Sequence, residues 1–106
     1  MIEINLTYDL LPGVDEQAYA EFAKKTIGAT LQAPGLVEFR ANRNLCFSSS
    51  QVRITTVWQT LSDWADFVES ATWQALEFEL RTFTTNNRIE IWGPSLLVPE
   101  PIRPGR

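Results

Sequence analysis

The 106-residue chain contains no histidine, a single cysteine and a single methionine. Without histidine it lacks the commonest metal ligand and the commonest general base near neutral pH. A zinc site, a histidine-ligated haem and a Ser-His-Asp triad are therefore excluded from within it. One cysteine, Cys46, cannot form an internal disulfide and fits a reducing compartment, so a cytoplasmic protein is expected. No run reaches the roughly 18 apolar residues of a membrane helix. The opening residues Met1 to Leu6 lack a basic n-region, so neither a membrane span nor a signal peptide is expected. Basic residues are scarce too: nine Lys and Arg against thirteen Asp and Glu leave a net charge of −4. That balance lacks the basic stripe a nucleic-acid partner would require.

What remains is 44% apolar and 21% charged, an ordinary globular composition on a length suited to one core. Ile2, Ile4, Leu6, Tyr8 and Leu10 alternate with Glu3, Asn5, Thr7 and Asp9, the period of a half-buried strand. After the Leu11-Pro12-Gly13 turn, Asp15 is placed to cap a helix. Its inward stripe is Tyr19, Phe22, Ala23, Thr26, Ile27 and Thr30, and Pro34-Gly35 ends it. Gly28 within that helix costs about 1 kcal/mol against alanine and suggests a close backbone approach. Leu36 to Asn44 alternates again, with Val37, Phe39 and Ala41 on one side. A Ser48-Ser49-Ser50 loop leads to a third strand, Gln51 to Gln59, with Val52, Ile54, Thr56 and Trp58 in phase.

The stretch Thr56 to Leu76 holds three of the four tryptophans. It reads as a strand end, a cap at Ser62 or Asp63, and an amphipathic helix broken near Ser70. Trp64, Phe67, Val68 and Ala71 share one face, and Trp73, Leu76, Leu80 and Phe83 continue the stripe. Asn86-Asn87 signals a turn before a fourth strand, Arg88 to Gly93, whose Ile89 and Ile91 would face the helices. The order β-α-β-β-α-β predicts an α+β, ferredoxin-like domain over residues 1–93, a four-stranded antiparallel sheet with its helices on one face. Residues 94–106 hold four prolines and form an extended tail whose Leu96, Leu97 and Val98 want a surface. No repeat or second domain is evident.

Thr56-Val57-Trp58, then Asp63-Trp64, Phe67, Ser70, Trp73 and Leu76, together with the Ala33-Pro34-Gly35-Leu36 junction, resemble the dimeric α/β-barrel proteins of the antibiotic-biosynthesis-monooxygenase-like group. The resemblance implies a homodimer with its polar sheet faces inside a barrel, and a pocket between sheet and helices in each subunit. Members include cofactor-independent oxygenases of aromatic polyketides and haem-degrading oxygenases. The haem-degrading branch keeps a helix histidine and a tryptophan where this chain has Glu77 and Phe67, and Asn5 is displaced from that branch's strand asparagine. Those departures argue against haem degradation.

The resemblance leaves oxidation of a small aromatic compound such as a quinol, with no cofactor and no metal, as the implied activity. An apolar cavity for the substrate would be lined by Tyr8, Phe22, Phe39, Trp64, Phe67 and Trp73, with Tyr8, Tyr19, Thr26, Thr56 and Glu77 as polar candidates and no residue marked as catalytic. Against this stands a non-catalytic ligand-binding or stress-related homodimer whose aromatic stripe simply fills the core. A cavity reaching Tyr8 or Trp64 separates the two.

Overall fold

The computed structural model describes residues 1–105. Strand β1 (Ile2–Leu10) is followed by helix α1 (Glu16–Leu31), strands β2 (Leu36–Arg43) and β3 (Val52–Trp58), helices α2 (Leu61–Glu69) and α3 (Ala71–Phe83), and strand β4 (Thr84–Trp92). The sheet order is β2-β3-β1-β4 with every pairing antiparallel. This is the ferredoxin-like arrangement expected from the strand and helix periods, with the second helix divided in two. Ser70 makes the division. Its hydroxyl donates to Phe67 O at 2.6 Å and accepts from Trp73 N–H at 3.2 Å, so one side chain ends α2 and starts α3.

Asp15 caps α1 as predicted, accepting from Gln17 and Ala18 N–H. The cap of α2 is Thr60, not Ser62 or Asp63. Its hydroxyl oxygen accepts from Asp63 N–H at 3.1 Å while its proton goes to the Asp63 carboxylate, leaving Asp63 three residues inside the helix. The buried core joins Tyr8, Phe22, Leu76 and Leu80, with Tyr19, Val52, Ile54 and Phe83 packed around them. It sits where α1 and α3 cross the central strands.

Four local expectations give way to the structure. No turn forms at Asn86-Asn87. The chain passes directly from α3 into β4 at Thr84, and the pair sits at a bulge opposite Tyr8. Asn86 adopts φ +56°, which a short amide side chain tolerates, and its side chain donates to Asp9 at 2.9 Å. Val37 is half exposed because a second bulge, between Leu36 and Glu38, takes it out of the pairing. Ile89 and Ile91 lie on the helix side, opposite Leu6 and Ile4, yet both are more than half exposed because the helices cover the sheet's centre and leave this edge bare. Gly28 approaches no backbone. It faces solvent with open space around an added Cβ, so Gly28→Ala is expected to stabilise the fold by about 0.5–1 kcal/mol in urea unfolding.

Asp9 ties the bulge to the β2–β3 loop, accepting from Ser49 Oγ at 2.7 Å, Gln51 N–H at 2.8 Å and Asn86 Nδ2. The Asn86 and Ser49 bonds, then the Gln51 amide, hold its carboxyl below the usual carboxylate range. A depressed folded-state pKa contributes stability above the unfolded value that is lost as pH falls through the folded one. The stability advantage of wild type over Asp9→Ala should therefore be constant near neutrality and shrink below about pH 4. Denaturant midpoints measured from pH 7 down to pH 2.5 check this.

Residues 93–105 have no regular structure, and Leu96 and Leu97 are almost fully exposed. Among the described residues, no helix is long and apolar enough to cross a membrane.

Candidate functional site

The faces of α1, α2, α3 and the sheet that turn toward one another do not close completely. They leave a partly enclosed cavity of about 300 Å³. Its floor is the helix-side face of the sheet: Ile4, Leu6 and Tyr8 from β1, Phe39 and Ala41 from β2, Val52, Ile54, Thr56 and Trp58 from β3. Strand pairing places these side chains together, since Ile4 lies opposite Thr56, Leu6 opposite Ile54 and Phe39 opposite Thr56. The predicted inward stripe of α1, from Tyr19 to Thr30, forms one wall, and Trp64, Phe67, Val68 and Trp73 form the other.

The six aromatic residues proposed for the pocket, Tyr8, Phe22, Phe39, Trp64, Phe67 and Trp73, all border this one cavity. Some of them also belong to the packing. Trp58, only 1% exposed, stands 5.3 Å from Phe67 between ring centroids, and Phe67 stands 5.4 Å from Trp73. These offset contacts stiffen the α2–α3 wall. Phe22 and Tyr19 are held from behind by Phe83. The aromatic stripe is thus both core and lining.

Polar groups at the cavity are few and paired. The Tyr8 and Tyr19 hydroxyls are 2.5 Å apart. Only one proton can lie between them, so the other hydroxyl proton remains available to a guest. Burial first, and the Tyr19 hydroxyl second, push the Tyr8 phenol far above the ordinary range. It stays protonated across physiological pH and can act only as a donor or a neutral acceptor. Thr56 Oγ1 accepts from the Trp58 indole N–H at 2.8 Å, which leaves its own proton free. Thr26 and Thr30 donate back to Phe22 O and Thr26 O along α1.

Glu77 does not reach the cavity; it pairs with Arg81 at 3.2 Å on the outer flank of α3. Cys46 is exposed in the β2–β3 loop. Among the described residues, no carboxylate, amine or thiol lines the cavity, and no group of His, Cys, Asp and Glu is placed to hold a metal ion. Thr30, Ala41 and Val68, which the helix and strand periods turn inward, complete the lining. Their apolar or small side chains carry no signal beyond the strand and helix periods.

The chain matches no family model and no curated protein. Its fold is shared with solved structures of low sequence identity. A candidate antibiotic biosynthesis monooxygenase from Deinococcus radiodurans is 15% identical over the whole of both chains, with a TM-score of 0.73. SnoaB, a cofactor-independent oxygenase from Streptomyces nogalater, is 12% identical, with 93% of this chain and 97% of that chain covered and a TM-score of 0.77. A dimeric ferredoxin-like protein from Bacteroides fragilis is 8% identical over 86% and 93%, with a TM-score of 0.64. A hydroxynitrile lyase from Passiflora edulis, 8% identical over 86% and 90% with a TM-score of 0.75, has the same fold. One scaffold thus carries differently named activities, and the site must decide among them. The chain has the ferredoxin-like fold of the antibiotic-biosynthesis-monooxygenase-like proteins.

Proposed function

We propose that the chain is a homodimeric, cofactor-independent oxygenase of a small aromatic quinol, bound in the cavity between the sheet and the helices. The observation that carries this reading is an aromatic cavity of about 300 Å³ whose hydroxyl groups are those of the Tyr8–Tyr19 pair and three threonines. An apolar cavity of about 150 Å³ accommodates a benzene, so this one takes a flat molecule of one or two rings.

The reaction suited to such a site draws every electron from the substrate. A hydroquinone ring and O₂ give a hydroxyquinone and water. One oxygen atom enters a ring carbon, the other leaves as water, and no reductant is needed. Ionisation of a substrate hydroxyl makes the ring electron-rich enough to reduce O₂. The protein's part is to hold the ring between Trp64, Phe67 and Phe39 and to donate a hydrogen bond from the tyrosine pair to the phenolate oxygen. With no base in the lining, the phenolic proton passes to solvent. The rate should therefore rise with pH through the substrate's own pKa.

The named oxygenase among the fold neighbours supports this chemistry, and the named dimer among them supports the homodimer. The absence of a base in the lining also favours a second reading, a ligand-binding module without turnover. Oxygen uptake with a panel of benzo- and naphthohydroquinones decides between them. Uptake of one O₂ per quinol above the uncatalysed rate is expected. Saturable binding without uptake would leave only the binding module.

A further inference from the structure

The cavity has a hydroxyl station at each end and little free polarity between them. The Tyr8 and Tyr19 hydroxyls form one. Thr56 forms the other. Its Oγ1 accepts from the Trp58 indole N–H, and its own proton has no acceptor among the described residues. Of the other two threonines in the lining, Thr26 donates to Phe22 O and Thr30 to Thr26 O. Neither therefore offers its proton to a guest.

Strand pairing sets how far apart the two stations stand. Across β1 and β3, Tyr8 lies opposite Val52 and Ile4 lies opposite Thr56. Tyr8 and Thr56 are thus four residues apart along the strands, about 13 Å at the usual rise per residue. The floor between them is apolar, with Leu6 paired to Ile54. The rings that could grip a guest lie toward the threonine end. Phe39 is opposite Thr56 across β2 and β3, and Phe67 packs against Trp58. A guest gripped there and bonded to the tyrosines as well has to be long. Two hydrogen bonds of about 2.8 Å leave about 7–8 Å for the span between the guest's own oxygens. That is the long axis of two fused rings.

We infer that Thr56 is a specificity-determining residue of the cavity, selecting a guest of two fused rings with an oxygen at each end of its long axis. The inference rests on the aromatic-cavity reading above and narrows it. One guest oxygen accepts from the tyrosine pair, and the other accepts the Thr56 proton. An alkyl group at the far end would instead displace water and leave that proton unpaired.

Two guests of nearly equal shape test this. 2,6-Dihydroxynaphthalene carries both oxygens, and 6-methyl-2-naphthol has a methyl group in place of the second. Calorimetric titration of wild type at pH 7 should show one site per chain for each, with the diol bound about fivefold more tightly or better. Thr56→Ser should keep that preference. Thr56→Val should lose it, binding the methyl compound at least as tightly as the diol. A wild type without the preference, or a folded Thr56→Val that retains it, would overturn the role of Thr56 and leave the aromatic cavity standing. The wild-type comparison decides even if Thr56→Val fails to fold. If neither guest bound, the cavity reading would fall and this inference with it.

Discussion

Replacing Gly35 by alanine is expected to cost about 3 kcal/mol, the largest stability effect of any single methyl group in this chain. Two causes act together. Gly35 adopts φ +85°, a left-handed conformation that an L side chain takes up only with strain. An added Cβ would also overlap the side chain of Asp63. The position cannot shift freely, because the Gly35 carbonyl accepts from Gln59 N–H at 2.8 Å and so fixes the start of β2 against the end of β3. Asp63 is held in turn by the Thr60 cap. Urea unfolding measures the loss, and the double variant with Asp63→Ala separates its parts. The second change should relieve the overlap and leave the backbone strain. A Gly35→Ala protein as stable as wild type would mean that this junction is not built as described.

Tyr8→Phe carries the largest expected effect on activity. The Tyr8 hydroxyl is one of two at the polar end of the cavity, and its proton or that of Tyr19 is the one available to a bound phenolate. Removal of a donor aimed at developing charge in a desolvated site costs about 10²-fold in kcat. Tyr19→Phe should cost less, because it leaves the more deeply buried Tyr8 hydroxyl to donate to the substrate, whereas Tyr8→Phe leaves only the more exposed Tyr19 hydroxyl. The stability effect of Tyr8→Phe is smaller, about 1 kcal/mol, since only one buried hydrogen bond is lost. The same variant carries a pH signature. A raised tyrosine pKa contributes stability that is present below about pH 10 and lost as pH rises toward the folded-state value. Wild type should therefore lose stability above pH 10 more steeply than Tyr8→Phe.

Much of the architecture is legible in the residues alone, because each level of the pattern agrees with the next. The alternation in β1 and β3, the stripe from Tyr19 to Thr30 and the cap at Asp15 specify where those elements lie and which face is inward. The six rings from Tyr8 to Trp73 meet around one space because they occupy inward positions on a sheet and on the helices above it. What sequence spacing hides is register. The bulges at Val37 and at Asn86-Asn87 add residues without changing composition, so β4 starts four residues earlier than its clearest alternation suggests. Thr60 competes with Ser62 and Asp63 as a cap, and only the hydrogen-bond geometry decides. A filled core and a lined cavity also look alike in sequence. They differ by whether four faces close fully, and that is a property of packing rather than of any one residue.

The central claim is that this cavity is built for a flat aromatic guest. Its most direct test is a titration of the chain with 2-naphthol, followed by tryptophan fluorescence. Trp58, Trp64 and Trp73 all border the cavity, so a bound ring should quench them to saturation at one molecule per chain. Ala23→Phe places a side chain in the same space and should abolish that saturable quenching while leaving the far-ultraviolet circular dichroism unchanged. Saturable one-to-one quenching that persists undiminished in folded Ala23→Phe would contradict the account, because the guest would then be bound elsewhere.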